Sequence, residues 1–260
     1  SGALSFGDLD IANTGGDGLL VNNSKVLSFL LGSTGGTIDT VGGTAVNLDP
    51  LTVAMTLDAV SASGGVSGII LDTVFGSFTV AGTTAITGTS GAGISISDAT
   101  TALAATFSGA VTVDNGASAG AGVSLTGNTA GTIGFAGGLA VATTSGTGFA
   151  ASGGGTISLA GAGSSIATTT GRILSWDGVN VGAGGVAFTT LASSGTVAAD
   201  AIAFNNVDGS GTFSGGSVTV AGTSGAGSDG IAITGGSAAT FTFASATIDN
   251  PSGNGINLDG

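Results

Sequence analysis

Aspartate is the only acidic residue type in this chain, and two of its fifteen copies, Asp49 and Asp72, stand where chemistry would be sought first. Each directly follows an apolar-x-apolar triplet, Val46-Asn47-Leu48 and Ile69-Ile70-Leu71, and the triplets start 23 residues apart. In a chain that coils on itself at that period, the two carboxylates would be neighbours. Two aspartates alone can hydrolyse a glycosidic bond when their carboxyl groups stand about 5 to 9.5 Å apart. Held closer, they repel, so one takes a proton, the side chains splay, or a hard cation such as calcium bridges them; splaying is the expected outcome. Asn22, Asp177, Asn205 and Asp259 follow their own triplets in the same way, and Asp98 comes one residue later. Asp and Asn tolerate left-handed backbone angles and satisfy their own turns, so a ladder of structural turns is preferred to a cation site, and a cation site to catalysis. The sequence therefore assigns no catalytic residue, cofactor or metal. Asp49 and Asp72 are kept as weak cation candidates, with calcium as the ion.

Other chemistry finds few residues to use. Histidine, cysteine and tyrosine are absent, and the only cations, Lys25 and Arg172, lie 147 residues apart. Lyase chemistry, which needs a base or a cationic clamp beside the substrate, is thereby disfavoured. Gly120 to Gly122 and Gly153 to Gly155 have neither the lysine nor the following helix of a phosphate loop, so they read as turns. Gly15-Gly16-Asp17-Gly18-Leu19 and Ser228-Asp229-Gly230-Ile231 echo a calcium-binding nonapeptide but do not recur every nine residues. Trp176 occupies an apolar position and is expected in the core, not as a sugar platform. Thr143-Thr144 and Thr168-Thr169-Thr170 raise an ice-binding hydroxyl array, although no regular Thr-x-Thr recurs.

The elements that would position these residues follow from composition. The chain has 53 glycines and only 2 prolines in 260 residues, with no glycine period of three, which excludes collagen. A hydrophobic content of 42% argues against disorder. Thr, Val, Ile, Ser, Gly and Ala dominate, mostly strand and turn formers, which predicts strands and turns with little helix. A net charge of −13 repels nucleic acid and anionic lipid. No cysteine is present to staple the fold, and glycine, serine and threonine interrupt every apolar run before it reaches a membrane span, so no membrane insertion is expected. The opening Ser-Gly-Ala is not a signal peptide, so a fragment of a longer secreted protein is expected.

One pattern organises the whole chain: an apolar-x-apolar triplet, often preceded by glycine and often followed by Asp or Asn. Its ten pairs are Leu19/Val21, Val46/Leu48, Ile69/Leu71, Ile94/Ile96, Val123/Leu125, Phe149/Ala151, Leu174/Trp176, Ile202/Phe204, Ile231/Ile233 and Ile256/Leu258, spaced 23 to 29 residues apart. Further short alternating runs, such as Val111-Thr112-Val113 and Val218-Thr219-Val220, fill each period. This is the rhythm of a β-solenoid rung, in which Ile94 and Ile96 point inward while Ser95 and Ser97 face water. Leu4 to Gly7 and Gly15 to Asn23 resemble Ile133 to Ala136 and Gly146 to Ser152 at an offset of about 129, suggesting duplicated halves, 1–130 and 131–260, of one continuous rod.

The rungs of the Gly-Ile-Ser-Ile-Ser-Asp type at 93–98, 230–234 and 255–259 resemble those of bacterial right-handed parallel β-helix repeat proteins, including large adhesins and autotransporter-like surface proteins. The resemblance implies an all-β, single-stranded right-handed parallel β-helix of about ten coils. It also implies a secreted or cell-surface location and a structural or adhesive role without catalysis. The expected partners are neighbouring repeats or copies of the chain stacked head to tail, and surface or matrix glycans. A glycan-active enzyme and an ice- or surface-binding solenoid are the rival readings.

Overall fold

The computed structural model describes residues 2–22 and 29–260, so Lys25 lies outside the described residues. Short strands of mostly four or five residues alternate with glycine-rich corners, and every ladder between them is parallel. Successive strands along the chain belong to three different sheets. The first sheet runs from Ala3–Phe6 to Thr240–Thr242, the second from Ile11–Thr14 to Ser245–Ile248, and the third from Leu19–Asn22 to Ile256–Asp259. Each strand pairs with its equivalent one coil earlier and one coil later. The chain is therefore a β-solenoid with three faces. The third sheet is ten strands deep, and its nine steps of about 4.8 Å give a core about 43 Å long.

The alternation read from the sequence becomes two vertical columns inside the third sheet. Leu19, Val46, Ile69, Ile94 and Val123 stack in register, and Phe149, Leu174, Ile202, Ile231 and Ile256 continue the column. Val21, Leu48, Leu71, Ile96 and their successors through Trp176 and Phe204 to Leu258 form the other. All ten predicted pairs are thus in register, and all but the last, Ile256/Leu258, pack into one core.

The first sheet adds a column of larger side chains: Leu57, Val80, Phe107, Phe135, Leu159, Val186, Phe213 and Phe241. Phe107 and Phe135 stack nearly parallel with ring centres 5.1 Å apart. Trp176 is 1% exposed and packs edge-on against Phe149, Phe204 and Phe213, which places it in the core as the sequence predicts. Among the described residues the one break in register lies where Asn180–Ala187 meets Thr156–Leu159. There Ile157 pairs with Val181 but Leu159 with Val186, so Gly182 to Gly185 bulge outward.

Corners succeed because glycine stacks on glycine. Before the third sheet, Gly91, Gly120, Gly146 and Gly171 lie above one another, and a Cβ on any of the last three would overlap the carbonyl of the one before. The sharp turn after the third sheet needs a left-handed residue, and Gly127, Gly153, Gly178 and Gly235 supply it with φ of 64 to 73°. Gly153 to Gly155 are all left-handed, which accounts for that run as a turn.

Candidate functional site

The outward face of the third sheet collects the residues in which chemistry was sought. Its last position in each rung forms a column of Asn22, Asp49, Asp72, Ser97, Thr126, Ser152, Asp177, Asn205, Thr234 and Asp259. Asp49 and Asp72 end adjacent strands, whose register aligns Leu48 with Leu71 immediately before them. Burial, and secondarily the charge of Asp72, push the Asp49 carboxyl above its ordinary range. Asp72 accepts hydrogen bonds from the Ser97 hydroxyl of the following rung at 3.0 Å and from Thr73 at 3.3 Å. A pair of this kind can share a proton or hold a polar ligand. Among the described residues no third carboxylate joins them in a grouping that could hold a metal ion.

The ladder differs in one respect from the turn reading. The backbone is still extended at Asp49 and Asp72, and left-handed geometry falls one residue later, at Thr73, Asp98 and Asn206 with φ of 54, 55 and 51°. Of the Asx residues singled out, Asp98 is the one that makes the turn. The others end strands, and two of them bridge rungs through their side chains: Asn205 donates to Asp177 at 2.8 Å and accepts from Thr234 at 3.3 Å.

A second set of carboxylates clamps rungs together at the corner entering the same sheet. Asp17 accepts the Thr44 amide at 2.9 Å and the Asn47 side-chain amide at 3.0 Å. Asp229 does the same with the Asn254 amide at 2.6 Å and Asn257 at 2.8 Å. Asp200 accepts the Asp229 amide at 2.8 Å and pairs with Arg172 at 3.3 Å. The Gly-Asp-Gly and Ser-Asp-Gly pieces that echo a calcium repeat are thus explained by hydrogen bonds between coils. Arg172 is further held by the Asp200 carbonyl and the Ser175 hydroxyl, and borders a polar cleft of about 380 Å³ with Asp177, Asn205, Asp229 and Asn257.

Sequence reasoning missed the internal polar braces at the corner leading out of the second sheet. Thr143 and Thr168 are buried and donate to the carbonyls of Gly146 and Gly171, and Thr89 donates to Asn115, whose amide reaches the carbonyls of Gly91, Gly120 and Ala121. The signal was the Thr-x-x-Gly spacing at 143–146 and 168–171. These threonines therefore face inward, and Thr144 and Thr170 spend their hydroxyls on the carbonyls of Gly116 and Thr144. Beside them a shallow trough of about 490 Å³ runs over Ala142, Ala167 and Ala192. No family model, no curated protein and no solved structure matches the chain.

Proposed function

We propose that the chain is a structural rod: a right-handed β-helix module of a large extracellular or cell-surface bacterial protein, adhesin-like, acting through length, stiffness and repetition without catalysis. The observation that carries this reading is the set of three parallel ladders running from the first coil to the last around one apolar core. A chain whose every rung contacts only its neighbours is built for extension. Its outward columns are mostly Ser, Thr, Ala and Asn, a surface suited to display and to weak polyvalent contact with glycans. Residues 1–130 and 131–260 fit as duplicated halves of one rod. The charge of −13 disfavours nucleic acid and anionic membranes as partners.

Electron microscopy of the purified chain tests the proposal. Separate or end-joined rods of one width support it, and round or shapeless particles overturn it. The rival reading, a glycan-active enzyme, draws on the raised Asp49 carboxyl beside Asp72. The D49N/D72N double variant separates the two. Loss of turnover on a glycan panel with an unchanged melting temperature would establish catalysis, whereas no turnover by the parent chain on any glycan favours the rod.

A further inference from the structure

The corner at Asp49-Pro50 is built unlike its equivalents. Val46–Asp49 of the third sheet passes through Pro50 alone into Leu51–Leu57 of the first. At the same place in later coils stand Thr73, Asp98, Gly127, Gly153, Gly178 and Asn206, all left-handed, and each donates its amide to the strand-ending carbonyl of the following rung at 2.9 to 3.1 Å. Proline can do neither, because its ring fixes φ at about −65° and its nitrogen carries no hydrogen. The nitrogen of the Asp49-Pro50 bond is therefore tied into no ladder. The Asp49 carboxyl is equally untied: Asp17, Asp72, Asp177, Asp200 and Asp229 all accept hydrogen bonds through their side chains, whereas among the described residues no group donates to that of Asp49. It lies between Asn22 of the preceding rung, a neutral amide, and Asp72, which ends the following strand.

We propose that Asp49-Pro50 is a self-cleavage site, at which mild acid makes the Asp49 carboxyl attack its own backbone carbonyl carbon and displace the Pro50 nitrogen. The side-chain oxygen closes a cyclic anhydride, the C–N bond breaks, and the carboxyl proton ends on the departing proline nitrogen. One water then opens the anhydride, so the balance is one peptide bond hydrolysed and one water consumed, with no redox change. Attack from within the same residue outruns attack by free water, since a well-oriented tethered nucleophile acts at an effective concentration of about 10⁵ M or more. Proline suits the departure because its tertiary amide nitrogen takes up a proton more readily than a secondary one. Asp49 and Pro50 are half-buried, so solvent reaches the bond. Burial, and secondarily the charge of Asp72, raise the Asp49 carboxyl, so its proton-bearing form persists above the ordinary value of about 4. The chain's second proline follows Asn250, whose amide has no such proton to give.

The cut leaves the two pieces assembled. Leu30–Ser33 on Leu51–Leu57, Thr37–Val41 on Ala59–Ser63 and Val46–Asp49 on Ile69–Asp72 span it in all three sheets. The coil is nicked but not shortened until those ladders open, whatever the rod itself is for.

Incubating the folded chain between about pH 4 and 6, then separating the products under denaturing conditions and weighing them by mass spectrometry, tests the proposal. Fragments 1–49 and 50–260, with masses summing to the parent plus one water, are expected, and they should co-elute as one particle before denaturant is added. D49N and P50A, each checked by circular dichroism to be folded, should slow the cut by about tenfold or more. D72N should move the rate profile to lower pH without abolishing cleavage, a shift that a purely structural role for Asp72 would not produce. No cut at 49–50 anywhere in the range, equal cutting at 250–251, D49N cleaving as fast as the parent, or a profile that D72N leaves in place overturns the proposal.

Discussion

Substituting Gly146 by alanine tests the physical basis of the coil most directly, because two opposite signs are in play. Gly146 does not have a left-handed φ, so alanine suits its backbone, and where space allows such a change stabilises by about 0.4–1 kcal/mol through the unfolded chain. Space is lacking. The new Cβ would overlap the Gly120 carbonyl and stand 3.0 Å from the Ala119 carbonyl oxygen. Relief requires the sixth coil to lift from the fifth, straining the hydrogen bonds from Gly122 to Thr147 and from Val123 to Gly148 at 2.9 and 3.0 Å. Overpacking costs about 1–3 kcal/mol, and each weakened hydrogen bond about 0.5–1.5 kcal/mol, so a net loss of about 2–4 kcal/mol is expected. Gly134 is the control: its φ is not left-handed and nothing lies within 4 Å of an added Cβ, so G134A should stabilise by about 0.4–1 kcal/mol. Guanidinium unfolding followed by circular dichroism measures both, with midpoints compared at a shared slope because repeat arrays can depart from two-state behaviour. If G146A is as stable as the parent, or G134A is the worse of the two, the close-contact account of the glycine column is wrong.

The remaining expectations concern the core, the braces and the acidic pair. Trp176→Ala should cost about 3–5 kcal/mol, while Trp176→Phe should cost far less, because the buried indole N–H has no hydrogen-bond partner in the structure to lose; thermal unfolding of the two variants decides. Thr168→Val leaves the Gly171 carbonyl without its side-chain donor and should cost about 1–3 kcal/mol, whereas Thr169→Val, at an exposed site, should change the midpoint little. Since the Asp49 carboxyl is raised, the folded chain holds its proton more tightly than the unfolded chain does. Stability should therefore fall as pH rises from the usual Asp value of about 4 through the raised one, and D49N should flatten that part of the pH profile. A parent profile that instead rises across this window would refute the account of Asp49.

The rungs were legible because a period-two pattern inside a 23 to 29 residue repeat has few other solutions. Ile94-Ser95-Ile96-Ser97 states its own orientation, and ten such segments fix a common register. The first and second sheets were harder to read, because Gly131–Phe135 puts a glycine and Ser165–Thr168 a threonine at inward positions where the third sheet puts valine or isoleucine. The bulge at Asn180–Ala187 is hidden for the same reason: Val181 and Val186 are five apart, an odd spacing that only an extra loop reconciles with one face. At the candidate site, the adjacency of Asp49 and Asp72 followed from period alone. The clamps made by Asp17, Asp200 and Asp229 did not, because each depends on a backbone amide contributed by the following coil.

Because every strand bonds only to its counterparts one coil away, tension applied between the two termini would load the ladders coil by coil instead of shearing the whole core at once. Each coil that peels off releases 23 to 29 residues, or about 75–105 Å of extended chain. A single molecule held in an optical trap would thus lengthen in near-equal steps. Such a tether dissipates mechanical work gradually and can rewind from whatever coils remain intact.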